Sequence, residues 1–334
     1  MDTFLTKNPA AAAEFVKRGG VVAFPTETVY GLGANVFDAA AVAKIFEAKR
    51  RPADNPLIAH VGSLDQIGRL AREIPPAAEK FIAAFFPAPL TLVLPKAEKV
   101  PLAATAGLAT IGVRMPRHPL AQEFLRACET PVVAPSANLS GRPSPTAWEA
   151  VFEDLNGRID CILQGAATEI GLESTVVDCT TDAPLVLRAG AVSLEQLREI
   201  VPATRNYRVR PGEVARSPGL RHRHYSPRAK VILISDFGFR ISDSSGFIGL
   251  REPENLISDF GFRISDSSGF IGLREPEQKF ALTRVCGSVA EYAHEVFAFF
   301  RECDHRGIAT IYCETVDESG LGAALMDRLR RAAE

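Results

Sequence analysis

Four polar segments follow apolar stretches of this sequence and carry the side chains best suited to binding a charged ligand. They are residues 25–33, 49–56, 110–114 and 134–144. The second carries Lys49, Arg50 and Arg51, whose charged groups could bind phosphate oxygens through charge-assisted hydrogen bonds. Taken alone, each segment is also typical of an ordinary turn, a solvated helix end or a Ser/Asn-rich loop. The prediction of a ligand site therefore depends on their combination.

The other segments add groups that suit a carboxylate and a phosphate. Arg114 follows a short apolar run and could hold a carboxylate in a two-point fork. The loop with Ser136 and Asn138 could offer donors to an anion. His60 lies within an apolar strand, where a histidine is more often a satisfied core residue than a ligand. These residues predict a site for a ligand with two kinds of anionic group.

The common nucleotide and hydrolase motifs are absent from the sequence. It contains no Gly-Lys dipeptide and therefore no P-loop, and no Gly-x-Gly-x-x-Gly after a strand. It also lacks His-Glu-x-x-His and Gly-x-Ser-x-Gly. A nucleotide, if bound, must be held by another arrangement of residues.

Composition and charge narrow the class of protein. The 334 residues are 46% hydrophobic and 23% charged, which is typical of a globular protein of about two domains. A net charge of −2 argues against a DNA-coating protein. The six cysteines show no metal-ligand spacing, and no apolar run approaches the roughly 20 residues that span a bilayer. Together with an N-terminus unlike a signal peptide, this predicts a cytoplasmic protein.

Strands that alternate with helices predict an α/β fold with a mixed sheet over the first two hundred residues. Apolar runs predict strands at 21–24, 57–61, 90–94, 111–113, 132–134, 176–177 and 185–187. Asn8-Pro9 opens a predicted helix that Gly19-Gly20 closes, and Asp38 caps another that includes Val42 and Phe46. Further helical patterns lie at about 64–72, 76–86, 119–128, 146–154 and 193–200. The polar segments therefore lie at or near strand ends, where open α/β sheets bind ligands.

A basic, proline-rich stretch after residue 204 predicts a linker and a second, smaller α/β domain. We expect domains at 1–204 and 229–334, joined by a linker at 205–228. Within the second domain, residues 233–254 and 256–277 are identical. Two copies are too few for a solenoid, so a recent tandem duplication or a sequence error is the simpler explanation. We expect one copy to supply a strand and turn, and the other to form an extra hairpin or loop.

The combination of motifs resembles the YrdC-type domain of threonylcarbamoyl-AMP synthases, in the long form with a C-terminal domain. The matching segments, in family order, are 24–33, 49–57, 89–93, 111–116, 134–141, 174–178, 187–190 and 223–227, with 320–329 resembling the end of the second domain. The resemblance implies a YrdC-like twisted mixed sheet with helices, then a linker that acts as an active-site lid, and a smaller Rossmann-like α/β domain.

The resemblance also implies an enzyme, a nucleotidyltransferase. It would make L-threonylcarbamoyladenylate and diphosphate from L-threonine, bicarbonate and ATP with Mg2+. The implied partners are these substrates and the tRNA threonylcarbamoyl-transferase machinery, with a tRNA contact but no membrane or DNA partner. The product would serve the threonylcarbamoyladenosine modification of tRNA beside the anticodon.

Residue by residue, the resemblance assigns two sets of side chains. The threonine set is Thr28, His60, Arg114, Ala134 and Ser174. The ATP set is Lys49, Arg51, Asn55, Thr110, Ser136, Ser144, Arg188 and, from the linker, Tyr225. Lys49 and Arg51 are the expected catalytic cations, and no protein side chain is assigned to a metal. Catalysis would then depend on placement and electrostatics, without a covalent nucleophile.

Two departures from the family pattern and three alternatives remain. Arg50 stands where the family has glycine, and Pro87-Ala88-Pro89 replaces Pro-Gly-Pro.

A non-catalytic RNA-binding module of the same fold is the main alternative, although the retained substrate positions argue against it. The carbamoyl-transfer domain of hydrogenase maturation proteins would bring cysteine-pair zinc motifs, which this chain lacks. An interaction scaffold would not need Arg114, His60 and Ser174 together.

Overall fold

The computed structural model describes residues 2–52, 54–207, 225–235 and 267–334. Its helices are α1 Pro9–Lys17, α2 Ala39–Lys49, α3 Pro76–Phe85, α4 Leu102–Thr105, α5 Pro119–Cys128, α6 Trp148–Leu155, α7 Leu194–Ile200, α8 Val289–His305 and α9 Leu321–Ala333, with a 3-10 turn at Leu64–Arg69. Its strands are β1 Phe4–Thr6, β2 Val22–Phe24, β3 Gly31–Asn35, β4 Ile58–His60, β5 Leu90–Pro95, β6 Thr110–Arg114, β7 Val132–Val133, β8 Cys161–Leu163, β9 Thr175–Asp178, β10 Leu185–Arg188, β11 Arg205–Asn206, β12 Lys230–Ile234, β13 Ser268–Gly272, β14 Leu282–Val285 and β15 Thr310–Glu314. None of the helices it describes is long and apolar enough to cross a lipid bilayer.

The described part of the first domain contains one mixed sheet of 11 strands. Their order is β1-β8-β2-β3-β7-β4-β6-β5-β9-β10-β11. The sheet separates two apolar clusters: one includes Ala12, Phe124 and Leu125 from α1 and α5, and the larger one includes Ile45 from α2 and Phe81 from α3. The predicted mixed α/β fold is therefore confirmed.

Local sequence explains how the helices beside the site begin. The Asn8 side chain accepts hydrogen bonds from the amides of Ala10 and Ala11, and Asp38 does the same for Ala40 and Ala41. Such N-caps satisfy amides that have no partner within the helix. Asp38 thereby sets the start of α2, which ends at the predicted phosphate-binding cations.

The end of α2 shows how the chain accommodates the residue that replaces the family's glycine. Arg50 is the C-cap of α2 and has φ 52° and ψ 42°, in the left-handed region. Glycine is favoured there because it has no Cβ to meet the following carbonyl. Arg50 nevertheless adopts this conformation, and the amide of Arg51 then bonds to the carbonyl of Phe46 at 2.9 Å.

The second domain has a smaller sheet of four strands in the order β12-β15-β13-β14, all parallel where they pair. Helices α8 and α9 bury aromatic and aliphatic side chains against it, including Phe297, Phe300 and Leu329. This agrees with the expected smaller α/β domain. The predicted linker lies largely on residues 208–224, which are outside the described part of the chain. Arg205–Asn206, expected to begin it, pairs with β10 in the large sheet.

The two identical copies share the small sheet. The second copy supplies β13 and the turn after it, as expected for one copy. The first copy also enters the sheet, because its Leu233 and Ile234 end β12. Residues 236–266, on which the rest of that prediction falls, lie outside the described residues.

Helix α8 contacts the first domain through charged side chains and close backbone packing. The buried Arg301 donates to Asp154 Oδ2 at 2.9 Å and to the carbonyl of Pro143 at 2.6 Å. A Cβ on Gly171 would lie only 2.5 Å from Cα of His294, so only glycine fits between the loop and the helix. These contacts place the second domain beside the strand ends of the first.

Candidate active site

A cleft opens at the strand ends of the large sheet. One wall is the loop between β2 and β3, and another is the loop after β7 with Ala134 and Ser136. Tyr225, which precedes the second domain, also lines it. Three central strands bring distant residues together, because His60 pairs with Arg114 and Arg114 pairs with Thr91 across β4, β6 and β5.

Ten of the thirteen residues assigned by resemblance line this cleft. They are Thr28, Arg51, His60, Arg114, Ala134, Ser136, Ser144, Ser174, Arg188 and Tyr225. Three do not: Lys49 and Asn55 are buried nearby, and Thr110 lines a smaller adjoining pocket that shares Pro56 with the cleft. Segments that are far apart in the sequence therefore converge on one cleft.

Arg114 provides an incompletely bonded guanidinium at one end of the cleft. Its Nη1 donates to Thr28 Oγ1 at 2.9 Å. Its Nη2 lies 2.7 Å from Oε1 of the buried Glu27, but the atoms are not aligned as a hydrogen bond, so Nη2 and Nε have no hydrogen-bond acceptor among the described residues. Nη2 is thus ion-paired with Glu27 but not hydrogen-bonded to it. Buried polar groups normally have hydrogen-bond partners, so the Nε and Nη2 edge indicates a place for an anion beside Glu27.

His60 lies beside Arg114 as a neutral imidazole. Burial, and secondarily the Arg114 charge, lowers the pKa of His60 to about 3. Its Nδ1 is 3.2 Å from the carbonyl oxygen of Ile58, and its ring meets Phe24 edge-on. A neutral ring adds no positive charge next to Arg114 and can offer both a donor and an acceptor.

A second group of polar side chains lies where β9 and β10 reach the cleft. Arg188 donates from Nε to the carbonyl of Ser174 at 3.1 Å and from Nη2 to its hydroxyl at 3.2 Å. The Ser174 hydroxyl is also 2.8 Å from Oγ1 of Thr91. Close packing supports this group, because a Cβ on Gly190 would lie 2.2 Å from the Thr175 nitrogen.

The cations after α2 differ in what they contact. Lys49 is buried behind the loop after β7, and its Nζ donates to the carbonyls of Ser136, at 2.6 Å, and Asn138. Burial, together with Arg51, holds the pKa of Lys49 well below its usual range. Arg51 lines the cleft and donates to the carbonyls of Asn55 and Pro56 at the long distance of 3.4 Å. Burial lowers its pKa to about 10, so it stays charged at neutral pH.

The second domain reaches the cleft through Arg328 on α9. Ser144 donates to Glu173 Oε1 at 2.6 Å, and Arg328 Nε donates to Glu173 Oε2 at 2.8 Å. Tyr225 stacks on Phe297, with ring centres 5.4 Å apart, and lies 5.5 Å from Cζ of Arg328. First-domain residues and Tyr225 therefore line the cleft, and the second domain supports Glu173 and Tyr225 from behind through Arg328 and Phe297.

Sequence reasoning did not assign three of the charged residues at the site. Glu27 was recognised as a polar residue of the first segment, but its pairing with Arg114 depends on sheet register. Glu173 and Arg328 lie far apart in the sequence, and no local pattern predicts that they meet. The sequence feature closest to Arg328 was the segment 320–329, which resembles the end of the family's second domain.

Two family profiles cover most of the chain. Residues 14–190 match the Sua5/YciO/YrdC family, described as "Telomere recombination", and residues 192–334 match "Threonylcarbamoyl-AMP synthase, C-terminal domain". The threonylcarbamoyl-AMP synthase of Pyrococcus abyssi is 44% identical over 325 residues, which cover 96% of this chain and 93% of that protein. The chain belongs to the threonylcarbamoyl-AMP synthase family.

Further relatives and solved structures agree with this membership. The threonylcarbamoyl-AMP synthase of Bacillus subtilis is 37% identical over 99% of this chain and 95% of its own length. The crystal structure of Pyrococcus abyssi Sua5 complexed with L-threonine has a TM-score of 0.85 and 40% identity, covering 99% of this chain and 97% of that one. The predicted family, fold class and enzyme class, an ATP-using threonylcarbamoyl-AMP synthase, are confirmed.

Proposed function

We propose that this cleft joins L-threonine and bicarbonate into a carbamate and transfers AMP from ATP to it. The observation that supports the proposal most strongly is the buried guanidinium of Arg114, whose Nε and Nη2 have no hydrogen-bond acceptor in the described part of the chain. Two donors on one edge match the two oxygens of a carboxylate. The cations Arg51 and Arg188 line the same cleft and suit the phosphates.

Threonine would lie at the Arg114 end. Its carboxylate would accept from Nε and Nη2 of Arg114, while Thr28 fixes the guanidinium through Nη1. His60, the backbone at Ala134 and Ser174 would complete the threonine set. The Pyrococcus abyssi relative solved with L-threonine supports this assignment by similarity.

ATP would lie along the remaining wall, towards the second domain. The residues proposed to hold it are Lys49, Arg51, Asn55, Thr110, Ser136, Ser144, Arg188 and Tyr225. Arg51 is the best placed to bind the triphosphate, since its guanidinium lines the cleft with weak internal contacts. For Lys49 to contact a phosphate, it must exchange one of its three contacts, of which the one to Asn138 Oδ1 at 3.3 Å is the longest. We propose that its bonds to the loop carbonyls also hold the Ser136–Asn138 loop in place. Tyr225 would close over the nucleotide as part of the lid.

The chemistry would proceed in two steps without a covalent enzyme intermediate. The threonine amine attacks bicarbonate, forming a carbamate with loss of water. A carbamate oxygen then attacks the α-phosphorus of ATP, and pyrophosphate leaves. A carbamate is short-lived in water, so the protein contributes by holding it dry and aimed at phosphorus. Arg51 and Arg188 would offset the charge that develops on the phosphates.

Magnesium is proposed to accompany ATP. No group of three or more His, Cys, Asp or Glu side chains that could hold a metal occurs among the described residues. Magnesium usually binds one or two carboxylates plus substrate phosphates. We therefore assign the ion to the triphosphate as part of the substrate, and no step to a protein-held metal.

The product would pass to the tRNA threonylcarbamoyl-transferase machinery. Threonylcarbamoyl-AMP is an activated acyl phosphate anhydride, so an acceptor nucleophile must consume it soon after release. Proposed partners are therefore a transferase and, through it, tRNA.

Pyrophosphate release tests the proposal. The full chain would be incubated with ATP and Mg2+, adding threonine and bicarbonate singly and together. We expect release only with both, and much weaker release when serine replaces threonine. No release under any combination would contradict the proposal and favour the RNA-binding module.

A further inference from the structure

Arg328 is a buried cation of the second domain that contacts residues lining the cleft of the first. It lies on α9 and is only 1% exposed. Its Nε donates to Glu173 Oε2 at 2.8 Å, and its Nη2 donates to the carbonyl of Ala189 at 3.0 Å. Asp327 accepts from its Nη1 at 2.6 Å. All three guanidinium nitrogens are therefore used.

The partners of Arg328 each lead to a residue that lines the cleft. Glu173 accepts the hydrogen bond of Ser144 with its other oxygen, at 2.6 Å. Ala189 follows Arg188 directly, so a bond to its carbonyl fixes the backbone that carries this cation. The Tyr225 ring lies 5.5 Å from the guanidinium carbon. One side chain thus connects to three cleft residues.

We propose that Arg328 is a positioning residue through which the second domain sets the nucleotide-binding end of the cleft. The inference rests on the proposed function, because Ser144, Arg188 and Tyr225 are all residues assigned to ATP. In the described residues, Arg328 makes no hydrogen bond to Arg114, Thr28 or His60, and it reaches Ser174 of the threonine set only indirectly, through Glu173 and Arg188. Loss of Arg328 should therefore affect ATP much more than threonine.

The chemistry of the pair supports a geometric role. A guanidinium presents its donors in a rigid plane, so bonds to Glu173 and Ala189 fix the distance between the two. Burial raises the pKa of Glu173, but the charges of Arg328 and Arg188 outweigh this and leave it below its usual range. Glu173 therefore remains an ionised acceptor for Ser144, and its charge requires a cation beside it.

Steady-state kinetics of Arg328 variants in the full chain test the inference. Arg328→Lys keeps the charge but cannot bond Glu173 and Ala189 from one plane, and Arg328→Met removes the charge. We expect both to raise the KM for ATP by about tenfold or more, equivalent to roughly 1.4 kcal/mol, while the KM for threonine changes less than about twofold. Equal changes in both constants, or in neither, would overturn the inference.

A double variant separates positioning from stability. Arg328→Met leaves Glu173 as an unpaired buried charge, which destabilises the fold on its own account. Combining it with Glu173→Gln removes both charges and should recover most of the lost melting temperature. If Arg328 positions ATP, the KM for ATP remains raised in this stable variant. If the KM returns to the wild-type value together with stability, Arg328 has only a structural role.

Arg331→Met is the matched control, because Arg331 lies on the same helix and also binds Asp327. We expect its KM for ATP to equal that of the wild type. The outcome is independent of the proposed function: wild-type pyrophosphate release that needs threonine and bicarbonate supports the function, whatever the Arg328 variants do. If the wild type releases pyrophosphate as proposed but the Arg328 variants keep the wild-type KM for ATP, this inference is wrong and the proposed function stands.

Discussion

At the scale of single residues, Arg114 is the group whose geometry can be tested most directly. Its Nη1 donates to Thr28 and its Nη2 is ion-paired with Glu27, so a carboxylate bound at the Nε and Nη2 edge would lie beside Glu27. Arg114→Lys keeps the charge but loses the fork, so one charge-assisted hydrogen bond of roughly 1.5–3 kcal/mol is lost. We expect the KM for threonine to rise about tenfold or more, with little change in the KM for ATP.

Arg117→Lys provides the control for this substitution. Arg117 lies three residues further on, is exposed and pairs with Glu169 on the surface. Surface pairs contribute little, so its kinetics should match those of the wild type. An unchanged threonine KM in Arg114→Lys would contradict the carboxylate assignment.

Lys49 and Arg51 are predicted to be essential for different reasons. We expect Arg51→Ala to lower kcat by at least about 100-fold with an unchanged melting temperature, because it removes charge from the transition state. Lys49→Ala should lose at least about as much turnover but also some stability, because the carbonyls of Ser136 and Asn138 lose their donor. Lys44→Ala, on the exposed side of the same helix, is the control. Near-wild-type turnover in either test variant would contradict its catalytic assignment.

His60 makes the fold sensitive to acid. Its pKa is about 3 in the folded protein, against 6.5 for an unperturbed histidine, so below pH 6.5 the unfolded chain binds the proton first. The stability that the neutral ring contributes is complete above pH 6.5 and is lost progressively as the pH falls towards 3. At pH 5 this loss is about 2 kcal/mol. Thermal unfolding at pH 7.5 and 5.0 should therefore show a smaller acid shift in His60→Gln than in the wild type. Equal shifts would mean that His60 does not carry this sensitivity.

At the scale of elements, the junction between the loop at Gly171 and helix α8 sets the fit of the two domains. Gly171 has φ +81°, and a Cβ there would lie 2.6 Å from the carbonyl oxygen of His294. Gly171→Ala should therefore push α8 away, lower the melting temperature and raise the KM for ATP. Gly107→Ala is a matched control, since Gly107 has φ +80° but a methyl group there would meet nothing within 4 Å. If the two variants are equally destabilised, backbone strain alone explains the effect.

Elements with a strong apolar pattern could be predicted from the sequence, and weakly patterned ones could not. Helix α5 was predicted at its observed limits, and β5 to within one residue. Strand β3 was missed, because its two glycines are typical of a turn, although they pack against Phe24. The same limit applies to the site: residue types indicated phosphate and carboxylate binding, but the partners of Arg114 and Arg328 depend on sheet register and domain contact.

At the scale of the whole molecule, the duplication sets the number of residues that connect β12 to β13. Both strands pair with β15 in parallel, and Lys230 and Ser268 face the same residue, Thr310. The chain must therefore return along the sheet and cross β15, which usually takes a dozen residues or more. Deleting residues 233–255 would leave only residues 258–267 for this crossover.

We expect that deletion to destabilise the second domain. The identical sequence refills the end of β12, so the strand itself is unchanged and only the connection shortens. Thermal unfolding should show a lower melting temperature than the wild type. A chain in which residues 244–266 are replaced by a Gly/Ser segment of equal length tests length against sequence and should keep its stability. A wild-type melting temperature in the deletion variant would show that the second copy is dispensable.

The buried Arg328–Glu173 pair has a consequence for how the enzyme responds to salt. Ions screen exposed pairs such as Arg117–Glu169 but reach buried pairs poorly. Arg301–Asp154 is also a buried pair, because the Asp154 side chain is fully buried. The fit of the two domains should thus persist at high ionic strength. Salt would then slow the enzyme mainly by weakening the attraction between the cleft cations and an incoming polyanion.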